Sequence, residues 1–107
     1  MTIREMQEAV SQTAVAKGFR SRGDVANPKD TMVRLMLLVT EVAEAAQELK
    51  RGGFNRKTEF AEELADVGIR LLDIADSCDI DLQYEMVLKN ETNKLRPYLY
   101  GTTEEAS

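Results

Sequence analysis

The chain has 107 residues, of which 43% are hydrophobic and 31% charged, and its formal net charge at pH 7 is −5. This length predicts a single domain over residues 1–107, and the acidic balance excludes the basic surface that binding to duplex nucleic acid requires. The chain has no apolar run near the roughly 20 residues that span a bilayer, no signal-peptide pattern and only one cysteine, which together favour a cytoplasmic protein with no membrane partner.

The first predicted helix covers about residues 2–17. Thr2 and Glu5 have the spacing of a capping box, and Gly18 is suited to the left-handed conformation that often ends a helix. A long irregular segment, residues 18–28, follows.

The second and third predicted helices form the centre of the chain. Asn27 as an N-cap and Pro28 as the first helical residue predict a helix to about residue 51, where two glycines end it. The third helix is predicted over residues 58–78. Their apolar residues recur at helical spacing in stripes wider than a single neighbour would cover, which predicts that the second helix shares a broad apolar face with another copy of the chain. That face comprises Leu35, Leu38, Val39, Val42, Ala46 and Leu49.

The fourth predicted helix begins near Asp81 and ends around Arg96, because Pro97 cannot lie in a helix interior. The polar residues 102–107 are expected to form a frayed tail. No segment has the pattern of a strand, so the predicted fold class is all-α, a four-helix bundle.

The most informative feature is a pair of carboxylates on each central helix: Glu41 with Glu44, and Glu63 with Asp66. Residues three apart share one helix face, and both rows border the apolar stripe of their helix. Two such faces brought together offer only oxygen ligands, which favour Mg²⁺ or Mn²⁺ over zinc or copper. The chain has no histidine, the commonest ligand of softer metals and the commonest general base.

A simpler interpretation of either acidic pair alone is the solvated face of an amphipathic helix. Against it stand the repetition of the pair and the absence of lysine four residues after Glu41 and Glu44, where Ala45 and Glu48 occur. The residues by themselves leave both interpretations open.

The fourth helix carries a row of polar donors. Lys89, Asn93 and Arg96 lie at i, i+4 and i+7, which places them on one face. An ammonium, an amide and a guanidinium in line are suited to phosphate oxygens. The alternative is that Lys94 and Arg96 only complement the dipole at the end of the helix.

The order of these motifs resembles a known family. Glu41-x-x-Glu44, Glu63-x-x-Asp66 and Lys89-x-x-x-Asn93-Lys94-Leu95-Arg96-Pro97-Tyr98 together look like the MazG-like branch of the all-α nucleoside triphosphate pyrophosphohydrolases. The likeness covers nearly the whole chain. Two departures are Thr40, where many members have a glutamate, and Tyr100-Gly101, where the ending often reads His-Gly.

The resemblance implies a four-helix MazG-like domain that cleaves a nucleoside triphosphate to a monophosphate and pyrophosphate with Mg²⁺, in nucleotide-pool house-cleaning. It also implies a homodimer or tetramer. The metal-binding and catalytic residues would be Glu41, Glu44, Glu63 and Asp66, and the phosphate-binding residues Lys89, Asn93 and Arg96.

Two further side chains have open interpretations. Phe19 would stack on the base of the nucleotide, or it would be a hydrophobic plug over the end of the bundle. Arg70 would contact substrate, or, as we expect, pair with Asp66 or Asp73.

Two competing classes of protein fit part of the sequence. A non-enzymatic helical interaction or regulatory protein would explain the helices and the acidity but not the row on the fourth helix. A carboxylate-bridged di-iron bundle would use a Glu-x-x-His pair, which this chain without histidine does not have.

Overall fold

The computed structural model describes residues 1–20 and 26–97, and all regular structure in these ranges is helical. The predicted all-α fold class is therefore confirmed. None of the described helices has both the length and the apolar composition needed to cross a membrane. The α-helices are α1 (Ile3–Ala16), α2 (Pro28–Gly52), α3 (Lys57–Ser77) and α4 (Leu82–Lys94), and a 3₁₀ helix (Gly53–Arg56) joins α2 to α3.

Local capping explains where the helices begin and end. Thr2 and Glu5 form the predicted capping box, in which each backbone N–H donates to the side chain of the other residue at 3.0 Å. Asn27 caps α2 and Asp81 caps α4, each through its side-chain oxygen. Gly18 has a φ of 76°, the left-handed conformation predicted for it.

The second and third helices run antiparallel and pack along much of their length. Side-chain pairs occur in reverse order along them: Thr31 with Cys78, Arg34 with Asp73, Glu41 with Arg70, and Glu48 with Arg56 at the connection. The 3₁₀ helix was not predicted; it follows from Gly53, whose φ of 57° ends α2 and turns the chain back. Acidic rows on α2 and α3 are therefore held side by side.

The core is small. The buried apolar residues of the described ranges are Val10, Ala14, Ala45, Ile74 and Ala75, and none of the large side chains described there is fully buried. α1 packs on α3, whereas α4 contacts α1 and α3 but, over the described residues, not α2. The radius of gyration is 17.2 Å, compared with roughly 13 Å for a compact domain of about 100 residues.

The broad apolar face predicted for α2 is largely open in the single chain. Leu38 and Leu49 are half-buried, while Leu35, Val39, Val42 and Ala46 are exposed. The physical reason is that α2 turns its acidic side and Ala45 toward α3 and leaves most of its apolar stripe without a neighbour.

Some predictions lie outside the described residues. These are the frayed tail over 102–107, the end of the family pattern at Tyr98 and Tyr100-Gly101, and residues 21–25 of the segment between α1 and α2.

Candidate metal centre and adjacent groove

Three of the four predicted metal ligands lie together at the interface of α2 and α3. One carboxylate oxygen each from Glu41, Glu44 and Glu63 lies within 4.8 Å of the others. Glu41 and Glu63 are half-buried and Glu44 is exposed. Asp66 is not a member of this cluster and instead lines the groove beside it. The antiparallel packing thus combines the acid row of α2 with the first acid of the row on α3.

The cluster is electrostatically strained at Glu63. Burial, together with the charges of Glu44 and Asp66, raises the pKa of Glu63 above its usual value. The Oε2 atom of Glu63 is buried and has no hydrogen-bond partner among the described residues. A buried carboxylate oxygen without a donor is costly, and a cation is the group that would satisfy it.

Arg70 of α3 provides a positive charge at the cluster. Its Nε donates a hydrogen bond to Oε1 of Glu41 at 2.8 Å. The prediction that Arg70 pairs with Asp66 or Asp73 of its own helix was wrong. The reason is that Glu41 faces α3 across the interface, which places its carboxylate within reach of the guanidinium.

A groove of about 650 Å³ runs between α1, α2 and α3 beside the cluster. Much of its wall is apolar, including Val10, Ile69 and Ile74. Polar side chains occur in two groups along it. Asp66 and Arg70 adjoin the carboxylate cluster, and Asp73 with Arg34 lie further along α3, with an Arg34 Nη2 to Asp73 Oδ2 distance of 3.7 Å.

Phe19 lies in the wall of this groove and also in the wall of a second cavity of about 380 Å³ near the start of α2. Its side chain is 76% exposed. A plug over the bundle end would be largely covered, so the exposure favours the alternative in which the ring is free to contact a ligand.

A half-buried polar network holds the side chain of Arg20, which follows α1, and it was not predicted from the sequence. The Arg20 side chain is 11% exposed, and its Nη2 lies 2.9 Å from Asp76 Oδ2 and 3.5 Å from Asp73 Oδ1. The same Nη2 also donates to the Ser11 hydroxyl. The i, i+3 spacing of the two aspartates on α3 was the available signal. The network ties Arg20, and with it the neighbouring Phe19, to the groove.

Asp76 is the most strongly hydrogen-bonded carboxylate of this network. Burial acts to raise the pKa of Asp76, but hydrogen bonds from Ser11, Arg20 and Gln7 outweigh that effect and hold the pKa below its usual value. The Asp76 carboxylate therefore has a structural role, whereas Oε2 of Glu63 has no hydrogen-bond partner in the described part of the chain.

The predicted phosphate-binding row lies on the outside of the molecule. Lys89, Asn93 and Arg96 are all exposed, and Arg96, just beyond the end of α4, donates from Nη1 to Asn93 Oδ1 at 3.5 Å. Over residues 1–20 and 26–97, no hydrogen bond or ion pair links this row to the three carboxylates. The structure of one chain does not bring the two sets of residues together.

Comparisons with known proteins add no relative: no family model, no curated protein and no solved structure matches the chain.

Proposed function

We propose that this protein is a Mg²⁺-dependent nucleoside triphosphate pyrophosphohydrolase of the MazG-like type, which releases a monophosphate and pyrophosphate in nucleotide-pool house-cleaning. The observation that carries the proposal is the juxtaposition of Glu41, Glu44 and Glu63 beside a groove large enough for a nucleoside. Carboxylates from two helices next to a concave, mostly apolar cleft are an arrangement suited to a metal-assisted reaction on a phosphate.

The donor set fits a hard divalent cation. It comprises carboxylate oxygens only, and the buried Oε2 of Glu63 is without a donor in the described chain. When bound, Mg²⁺ supplies charge neutralisation for the phosphates and an activated water. Asp66 is proposed either as the fourth metal ligand or as a group that supports the ligands, since its charge already acts on Glu63.

The chain's own groups take the remaining roles. Without histidine, a carboxylate of this set is the proton acceptor for the attacking water. The groove would hold the nucleoside, because Asp66 and Arg70 connect it to the cluster and Phe19 offers an exposed ring at its wall.

We also propose that the working unit is a homodimer or tetramer. The exposed stripe of α2 extends beyond the predicted apolar face to Met32 (59% exposed) and Met36 (64%), which lie with Val39 (56%) at i, i+4 and i+7. A contiguous apolar stripe of this kind is typical of a symmetric interface. Such an assembly would offer the row on α4 a route to a carboxylate cluster, that of the neighbouring subunit.

The direct test is pyrophosphate release from a panel of canonical and damaged nucleotides with Mg²⁺.

The groove can be tested in the same assay by Thr13→Trp, because Thr13 is exposed and lines the groove. We expect KM to rise at least about tenfold through steric exclusion of the nucleoside. The neighbouring Gln12→Trp is the control, since Gln12 is exposed but does not line the groove. Equal KM values for both variants would contradict this location of the nucleoside.

The phosphate row has its own test. If Arg96 holds the triphosphate, Arg96→Ala should lower kcat/KM by about tenfold or more while changing monophosphate affinity much less. Lys94→Ala is the matched control, because Lys94 is exposed on the same helix end but pairs with Glu91 at 3.0 Å. Equal losses of affinity for both ligands would indicate a structural role for Arg96.

A helical interaction protein is the second candidate. The observation that favours it is the amount of exposed apolar surface, on α2 and also on α4 at Tyr84, Val87 and Leu88. Absence of Mg²⁺-dependent turnover on every nucleotide of the panel would favour this function over hydrolysis.

A further inference from the structure

Arg70 occupies an unusual position between the carboxylate cluster and the groove. Its Nε donates to Glu41 at 2.8 Å, and the same side chain lines the groove next to Asp66. The Arg70 side chain is 49% exposed, whereas that of Glu41 is 14% exposed. Arg70 is thus bonded to a half-buried carboxylate, while about half of its own side chain remains exposed.

The negative charge of the cluster explains why the Arg70 guanidinium lies there. Three carboxylates with oxygens within 4.8 Å repel one another, and Asp66 adds to that repulsion at Glu63. Arg70 neutralises part of this charge. Solvent at the half-exposed Arg70 weakens this ion pair, so the guanidinium can leave Glu41 when a more strongly bound cation competes for the same oxygens.

Once released from Glu41, the Arg70 side chain would lie close to a phosphate of a nucleotide bound in the groove. Arg70 already lies in the groove wall, and a planar guanidinium is suited to binding a phosphate through two parallel hydrogen bonds. A triphosphate chain that leads from the groove to the cluster would pass beside it.

We propose that Arg70 stands in for the divalent cation at Glu41 and transfers to a phosphate of the substrate when that cation binds. This inference rests on the proposed function, because it assigns Arg70 a role at the same carboxylate site. It couples the two binding events: the cation frees Arg70 for the nucleotide, and the nucleotide holds Arg70 away from the cation site. Coupling of this kind is reciprocal.

The experiment measures Mn²⁺ binding to the full chain by electron paramagnetic resonance, without nucleotide and then with an α,β-methylene triphosphate analogue that resists cleavage. We expect Arg70→Gln to bind Mn²⁺ alone about two- to fivefold more tightly, because a competing cation is gone. We expect the same variant to bind the analogue in Mn²⁺ at least about tenfold more weakly, because a charged hydrogen bond to phosphate is lost.

The chain offers a matched control. Arg56 pairs with Glu48 in the same way, through Nε at 2.9 Å with side-chain exposures of 38% and 14%, but Glu48 is not in the cluster. Arg56→Gln removes the same charge and should change neither affinity. Arg70→Lys keeps the charge and should return Mn²⁺ affinity toward that of the unaltered chain. Thermal unfolding by circular dichroism verifies that each variant is folded.

Unchanged or weaker Mn²⁺ binding by folded Arg70→Gln would overturn the proposal. So would an increase that Arg56→Gln reproduces, because the effect would then be one of net charge. Failure of the proposed function has a different signature: the unaltered chain would bind Mn²⁺ yet hydrolyse no nucleotide, and the change in Mn²⁺ affinity would still decide the role of Arg70.

Discussion

Glu63→Gln is expected to lower Mg²⁺-dependent pyrophosphate release at least about 100-fold while leaving the helices intact. Glu63 lies in the carboxylate cluster and its Oε2 is buried without a donor, so an amide there removes both a ligand and its charge. Changes even to groups that only support metal ligands cost about 10- to 100-fold in affinity or activity, and loss of a ligand should cost more. Steady-state kinetics over a range of Mg²⁺ concentrations measure the effect.

The control for this variant is Glu62→Gln. Glu62 is the preceding residue of α3, is exposed and is not in the cluster, so its loss removes the same charge without touching the site. Its activity should be close to that of the unaltered chain. Glu41→Gln and Asp66→Asn should also be inactive if the full predicted quartet takes part. Full activity of Glu63→Gln or Glu41→Gln at saturating Mg²⁺ would refute the metal-site assignment.

The same substitution has an expected effect on stability in metal-free buffer. Because the pKa of Glu63 is raised in the folded chain, ionisation of Glu63 is less favourable there than in the unfolded chain. Its contribution to stability is therefore greatest below the unfolded pKa and is lost as the pH rises through the folded pKa. Glutamine does not ionise, so Glu63→Gln should not lose stability as the pH rises. Without metal, the Tm of the variant should therefore exceed that of the unaltered chain at pH 7, and the two Tm values should approach each other at acidic pH, where Glu63 is protonated.

The second large effect concerns the exposed stripe of α2. We expect the unaltered chain to sediment at two or four times its mass of 12.0 kDa. Met36→Glu should weaken association at least about 100-fold, because a charge would be buried in an apolar interface. Activity should fall in parallel if a neighbouring subunit completes the site. Sedimentation equilibrium at micromolar concentration, with kinetics on the same samples, measures both.

Gln12→Glu is the control for this prediction, since it adds one negative charge at an exposed residue of α1, outside the stripe. Met36 is 64% exposed, so its replacement should not unfold the single chain. A fully active species of 12.0 kDa for the unaltered chain would show that the stripe does not join copies of this protein.

The features that could be predicted are those that depend on neighbours in sequence. The caps at Thr2, Asn27 and Asp81 satisfy backbone donors of the first turn, and so the helices begin where predicted. Likewise, the spacing of Glu41 and Glu44 places both on one side of α2 whatever surrounds that helix. The sequence alone therefore determined the four α-helices, the acid rows and the absence of histidine.

Contacts between distant residues were decided only by the tertiary structure. Periodicity defines the faces of α2 but not the face that α3 covers, and α3 covers the acidic side while the apolar stripe stays open. For the same reason, Arg70 pairs with Glu41, 29 residues away, rather than with an acid on its own helix. Which side chains meet depends on how the helices rotate against one another, and that rotation is set by the packing of all of them at once.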